Sequence, residues 1–246
     1  MSVSWLEADW PAPSGVRVLS TFRTGGVSVG PYDSLNLGDH VGDMPAAVAA
    51  NRRILQEKTG LPAEPRWLAQ VHGIRVEDLD TPGGASGPAD AAITRRANRV
   101  CAILTADCLP LVFTTLSGDR VAAAHAGWRG LAAGVIEATV GALNDSPQNL
   151  LVWLGPAIGA KHFEVGTEVR DALLERDPGA DGAFEANDRG RYLANLAMLA
   201  RRRLEGAGIS RIYGGDQCTY AQSERYFSHR RDGRSGRQAT LIWRQM

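Results

Sequence analysis

The chain has 246 residues, 44 % of them hydrophobic and 22 % charged, a balance that lets it bury its own core without disulfides or a partner. Its 27 basic and 27 acidic residues leave a net charge of zero, which excludes a global field for collecting nucleic acid or an anionic membrane. Cysteines at 101, 108 and 218 cannot all pair, so a secreted disulfide framework is also excluded and a reducing compartment is expected.

The opening stretch MSVSWLEADWPAPSGV has neither a basic n-region nor an apolar h-region, and no run approaches the roughly 20 apolar residues of a membrane span. A cytoplasmic protein and a monomer are expected, with no nucleic-acid or membrane partner. Gly/Pro punctuation is densest at TPGGASGPAD, Thr81 to Asp90, which reads as a long surface loop. No repeat or clear linker appears, so residues 1–246 are expected to form one domain.

Apolar runs bounded by turn residues predict strands at VRVLSTF from Val16, RVCAILT from Arg99, LPLVFTT from Leu109, RVAAAHA from Arg120 and NLLVWLG from Asn149. RIYGGD from Arg211 and ATLIW from Ala239 add two more. Helical patterns fall at Met44 to Thr59, with Asp43 as the expected N-cap and Gly60 past the end, and at Gly130 to Leu143. Val165 to Glu175 and Arg191 to Glu205 complete the set. The expected fold is a layered α/β sandwich with mixed sheets, in which an antiparallel hairpin carries candidate metal ligands.

That hairpin joins LPLVFTT to RVAAAHA through LSGD, whose Ser-Gly pair is a turn signal. A turn centred near Ser117 sets Cys108 roughly opposite His125, with Cβ atoms about 4.5–5.5 Å apart. Such a separation suits two side chains sharing one ion. After His125 the segment GWRGLAAGVIEA opens a helix, and Gly127 and Gly130 keep its approach clear for an anion. A third ligand cannot be chosen by spacing among His40, His72, His162 and His229. Five histidines are also too few for a multicopper cluster with its blue-copper ligands.

Together QVHG, LTADCLPL and HAGWRG resemble the YfiH-like family, also called peptidoglycan editing factor and formerly described as laccase-like polyphenol oxidase. FRTGGVSVGPYDSLNLGDHVGD, WLGPAIGAKHFEVG, RYLANLAMLARRRL and GGDQCTYAQSERYFSHRRDGRSGRQATLIW follow the family's segments in order. The resemblance implies a mononuclear zinc held by His72, Cys108 and His125. It further implies phosphorolysis of adenosine, inosine and methylthioadenosine, deamination of adenosine, and a link to editing of peptidoglycan precursors. Family members often carry tyrosine where this chain has His229, which leaves the ligand set intact.

Three protein ligands leave a zinc position open, as in catalytic sites. For deamination at purine C6, Asp107 is the candidate proton carrier, with a role in orienting a ligand as the alternative. For phosphorolysis a cationic clamp is needed, and Arg23 and Arg129, embedded in glycine-rich turns, are the candidates. Asn36 and Gln70 are candidates for polar substrate contacts, and Cys101 and Cys218 for structural roles. Two rivals are a metal-free hydrolase with Cys108 as nucleophile and His125 as base, and a non-catalytic partner of cell-wall enzymes.

Overall fold

The computed structural model describes residues 3–82 and 87–246, so part of the Thr81 to Asp90 loop lies outside the described residues. Its first strands are β1 (Trp5–Glu7), β2 (Val16–Thr21), β3 (Val76–Asp78), β4 (Ala91–Thr94), β5 (Val100–Thr105), β6 (Leu109–Thr115) and β7 (Val121–Ala126). Then come β8 (Leu150–Leu154), β9 (Glu164–Val165), β10 (Phe184–Ala186), β11 (Tyr192–Ala194), β12 (Arg211–Gly214) and β13 (Gln238–Arg244). The helices are α1 (Pro45–Thr59), α2 (Trp128–Ala133), α3 (Val135–Leu143), α4 (Thr167–Leu174), α5 (Leu196–Gly206) and the single turn α6 (His229–Asp232).

Two sheets dominate, with strand orders β1-β2-β13-β5 and β12-β8-β6-β7-β4-β3; a small third sheet is ordered β10-β11-β9. The six-stranded sheet is mixed, because β12 runs parallel to β8 and β3 parallel to β4. Side chains alternate faces along a strand, and that alternation builds the layers. Val112, Ala123 and Trp153 of the larger sheet meet Val18, Cys101, Ile103 and Ile242 of the smaller in one core. On the next residues along, Leu111, Phe113, Ala124 and Val152 face α3 and α5. Val100, Ala102 and Leu241 face Leu55 of α1. The result is helix, sheet, sheet, helix, the α/β sandwich expected, with both sheets covered on both faces.

Several boundaries differ from the expectation for local reasons. Met44, not Asp43, is the residue before α1, where Pro45 supplies the helical φ. Asp43 instead ties the preceding loop, accepting hydrogen bonds from Ser28 Oγ and Asn36 Nδ2. Gly134, at φ +106°, breaks the expected Gly130 to Leu143 helix into α2 and α3. The Arg191 to Glu205 pattern opens as β11 and becomes helical only after Asn195, which caps α5 by accepting from Met198 N. Three-residue strands such as β1 and β3 are too short to show a period.

Candidate metal centre

β5 belongs to the smaller sheet and β6 to the larger, so residues 106–108 form the corner where the chain crosses between them. Asp107 makes that corner at φ +90°, and Cys108 follows it at the mouth of the inter-sheet space. β6 and β7 form the expected hairpin, but the register pairs Pro110 with His125 and Leu109 with Ala126. Cys108 therefore stands two residues out of line with His125 rather than opposite it. The turn is centred between Ser117 and Gly118, one residue beyond the centre that a Cys108–His125 pairing needs, and the Thr115 and Ser117 hydroxyls both donate to Asp119 within it. A shift of two preserves the face, so His125 lies on the inter-sheet side with Val121 and Ala123.

His72 arrives from a different direction. Segment 66–70 runs beside the outer edge of β5, bridged at Arg66 and Cys101. There Gln70 uses its amide as a substitute strand, donating from Nε2 to Leu104 O at 2.8 Å and accepting at Oε1 from Leu104 N at 2.8 Å. The chain then turns with His72 at φ +62°, a conformation that costs a non-glycine residue stability and persists only where the surroundings enforce it.

Asp90 is that enforcement. Fully buried, it accepts from the backbone N–H groups of Val71, His72 and Gly73 at 3.1, 2.9 and 2.7 Å. Its Oδ1 also accepts from His125 Nδ1 at 2.8 Å. Burial opposes the charge, but these hydrogen bonds, His125 foremost, hold the carboxyl below its ordinary range. One carboxylate thus fixes the ring of one histidine and the backbone of the other, and leaves Nε2 as the His125 nitrogen available to a metal ion.

The ligand atoms of His72, Cys108 and His125 all lie within 4.8 Å of one another, the group of this kind found among the described residues. Cys108 Sγ is 3.8 Å from His72 Nε2, close to the roughly 3.6 Å that tetrahedral zinc bond lengths imply. The two imidazole rings are 4.7 Å apart at 66°. Burial of Cys108 opposes its thiolate, yet the neighbouring His125 and His72 overcome this and lower the thiol pKa. One thiolate and two imidazoles are a donor set that fits a zinc-type ion. Gly127 makes the fit possible: a Cβ there would stand 2.9 Å from Cys108 Sγ and 3.1 Å from His72 Cδ2.

The other expected site residues are placed as follows. Asp107 accepts at Oδ1 from Thr219 Oγ1 at 2.7 Å and at Oδ2 from Arg230 N at 2.6 Å, so it ties the C-terminal loop to the corner. Asn36 is fully buried, and its amide bonds Gly38, Asp43 and Arg237 N, which leaves nothing for a substrate. Gln70 commits one amide donor and one acceptor to β5. Arg23 donates to Asp33 O and Ser223 O and lies over the Phe227 ring, stapling loops together. Arg129 lies over Trp128 in a depression shared with Ala172 and Arg176, which none of the three ligands lines.

Of the remaining histidines, His162 stacks on Tyr220, His40 lies 3.6 Å from Asp39, and His229 is exposed on α6. Cys101 is fully buried, which raises its thiol pKa, and Cys218 accepts from Gly159 N. Sequence reasoning missed Asp90. Its one signal was a carboxylate closing a Gly/Pro loop immediately before the apolar run AAIT.

The sequence model of the family described as multi-copper polyphenol oxidoreductase laccase matches residues 17–245. The chain belongs to this family. Among relatives of this laccase-like family, the purine nucleoside phosphorylase YfiH of Escherichia coli (strain K12) is 52 % identical over 235 residues, 96 % of each chain. A purine nucleoside phosphorylase of Pseudomonas aeruginosa is 52 % identical over 244 residues, 98 % of this chain and 99 % of its own. The crystal structure of a Neisseria meningitidis protein superposes with a TM-score of 0.93 at 47 % identity, covering 98 % of this chain and 99 % of that one. YlmD from Geobacillus stearothermophilus gives 0.92 at 33 % identity, covering 98 % and 96 %.

Proposed function

We propose that the chain is a zinc-dependent purine nucleoside phosphorylase that also deaminates adenosine. The observation that carries this reading is the convergence of His72, Cys108 and His125, with His125 fixed by Asp90, in a chain whose relatives are named purine nucleoside phosphorylases. Two imidazoles and one thiolate satisfy three positions of a four-coordinate ion, the ligand count of a catalytic rather than a structural site. Zinc held there supplies a Lewis acid with a position left for water or substrate.

The chain's own residues do the rest. Asp90 holds the His125 tautomer, so that ring does not reorient during turnover. Gln70 and Asp90 together lock the His72 turn, which keeps reacting groups at a fixed separation. Asp107 adjoins Cys108, and in deamination it is our candidate to pass a proton to the departing ammonia. Adenosine, inosine and methylthioadenosine are the proposed substrates with inorganic phosphate. A multicopper centre finds no support in the ligand supply, since the three other histidines stand apart from the cluster.

Incubating the protein with adenosine and phosphate tests the reading. Adenine with ribose 1-phosphate supports phosphorolysis and inosine supports deamination, whereas no product under any condition favours a binding protein. A second reading rests on the order Asp90, His125, Cys108, which is also that of orienter, base and nucleophile in a metal-free hydrolase. Activity that survives chelation and is abolished by a thiol alkylator would select it.

A further inference from the structure

The last strand begins beside the metal centre. In β13 Gln238 pairs with Thr105. One more step of the same antiparallel register sets Arg237 against Ala106, two residues ahead of Cys108. Neighbouring strands lie about 4.8 Å apart, so the Arg237 backbone sits one strand spacing from the 106–108 corner that carries Cys108.

Arg237 is held firmly. Its backbone N–H donates to Asn36 Oδ1 at 2.9 Å, and its stem crosses Gly38, where a Cβ would stand 2.8 Å from Arg237 Cγ. Nη1 donates to the carbonyls of Ser235 and Gly236, both at 2.9 Å, and to Ser235 Oγ at 3.4 Å. That engages one corner of the fork. Among the described residues Nε and Nη2 donate to nothing, and no carboxylate lies within ion-pair distance of this half-buried cation. Arg52, Arg66 and Arg202, by contrast, each have one. Burial lowers the Arg237 pKa, and the neighbouring Cys108 and Asp107 oppose that shift.

We propose that Arg237 is the anion-binding residue of the metal centre and holds inorganic phosphate there, a role that rests on the phosphorylase reading above. An oxygen of hydrogen phosphate forms the bond to C1′ while the C1′–N9 bond breaks. The bonding pair goes to N9, which takes the proton that the phosphate carried. The free edge of the Arg237 fork, Nε and Nη2, donates to the phosphate oxygens that do not attack. Asn36 and Gly38 then act through Arg237: one pins its backbone and the other makes room for its stem.

The wild-type protein gives the first test. Phenylglyoxal modification followed by mass spectrometry should show Arg237 protected by millimolar inorganic phosphate; an Arg237 modification rate indifferent to phosphate overturns the assignment. Steady-state kinetics give the second. R237Q should raise the phosphate KM roughly 10- to 100-fold, the loss expected for charge-assisted hydrogen bonds, and leave the adenosine KM within about twofold. R237K, which keeps the charge without the fork, should fall between. An unchanged phosphate KM, or equal rises in both KM values, overturns the proposal. If phosphate protects Arg237 but no ribose 1-phosphate forms, the anion site stands and the phosphorylase reading fails.

Discussion

Asp90 Oδ1 lies 2.8 Å from His125 Nδ1 and 2.9 Å from the backbone nitrogen of His72, so a single oxygen connects two candidate ligands that are 53 residues apart in sequence. Its partner Oδ2 accepts from Val71 N and Gly73 N. Ligand orientation is therefore built from a residue that is not itself one of the three candidate ligands.

Asp90→Asn places an N–H where the structure requires an acceptor. Metal affinity should fall about 10- to 100-fold, as is usual when such a partner of a ligating histidine is removed. Competition against a chelator measures it. Affinity equal to wild type would show that the His125 and His72 geometry does not depend on this carboxylate.

Gly127→Ala introduces a methyl group 2.9 Å from Cys108 Sγ. The strain is local, about 1–3 kcal/mol by analogy with overpacked cores, so the variant should fold and unfold cooperatively. Metal content and nucleoside turnover should nevertheless drop severely. A variant with full metal occupancy would mean that the thiol and His72 have room to separate.

Asn36→Ala removes a buried amide that bonds four backbone or side-chain groups. Urea unfolding should show a loss of about 2–4 kcal/mol, since several buried partners are left unpaired. If Asn36 were a substrate contact, stability would be retained while the nucleoside KM rose.

Gln70→Leu deletes the side-chain rung on β5 and leaves Leu104 N and O unpaired at the strand edge. Stability should fall by about 1–3 kcal/mol. Metal affinity should fall with it, because His72 is two residues further along the same segment. A rise in nucleoside KM with stability and affinity unchanged would restore Gln70 to the substrate.

The layers were legible where the side-chain period was long enough to read. β5, β6, β7 and β8 each carry five to seven consecutive buried residues, and their apolar runs predict them to within a residue or two. β1, β3 and the β10-β11-β9 sheet were not, because strands of two or three residues carry no period and depend on tertiary pairing. In the site, hairpin parity was enough to put Cys108 and His125 on one face, although the register was two residues off. Spacing could not supply His72, which reaches the centre along the edge of β5 from outside the hairpin; it came from the family resemblance. The polar candidates share a local role that their sequence neighbourhood does not reveal: Asn36 and Gln70 sit beside functional segments in sequence, and their side chains hold those segments in place. Arg237 was invisible because its position depends on the pairing of β13 with β5, more than 130 residues away in the chain.

Metal content measured by elemental analysis on the wild-type protein and on His72→Ala, Cys108→Ala and His125→Ala tests the central claim most directly. The account predicts about one zinc per wild-type chain and its loss, together with nucleoside turnover, in each variant. Wild-type protein that turns over nucleosides without stoichiometric metal, or variants that keep the ion, would contradict it.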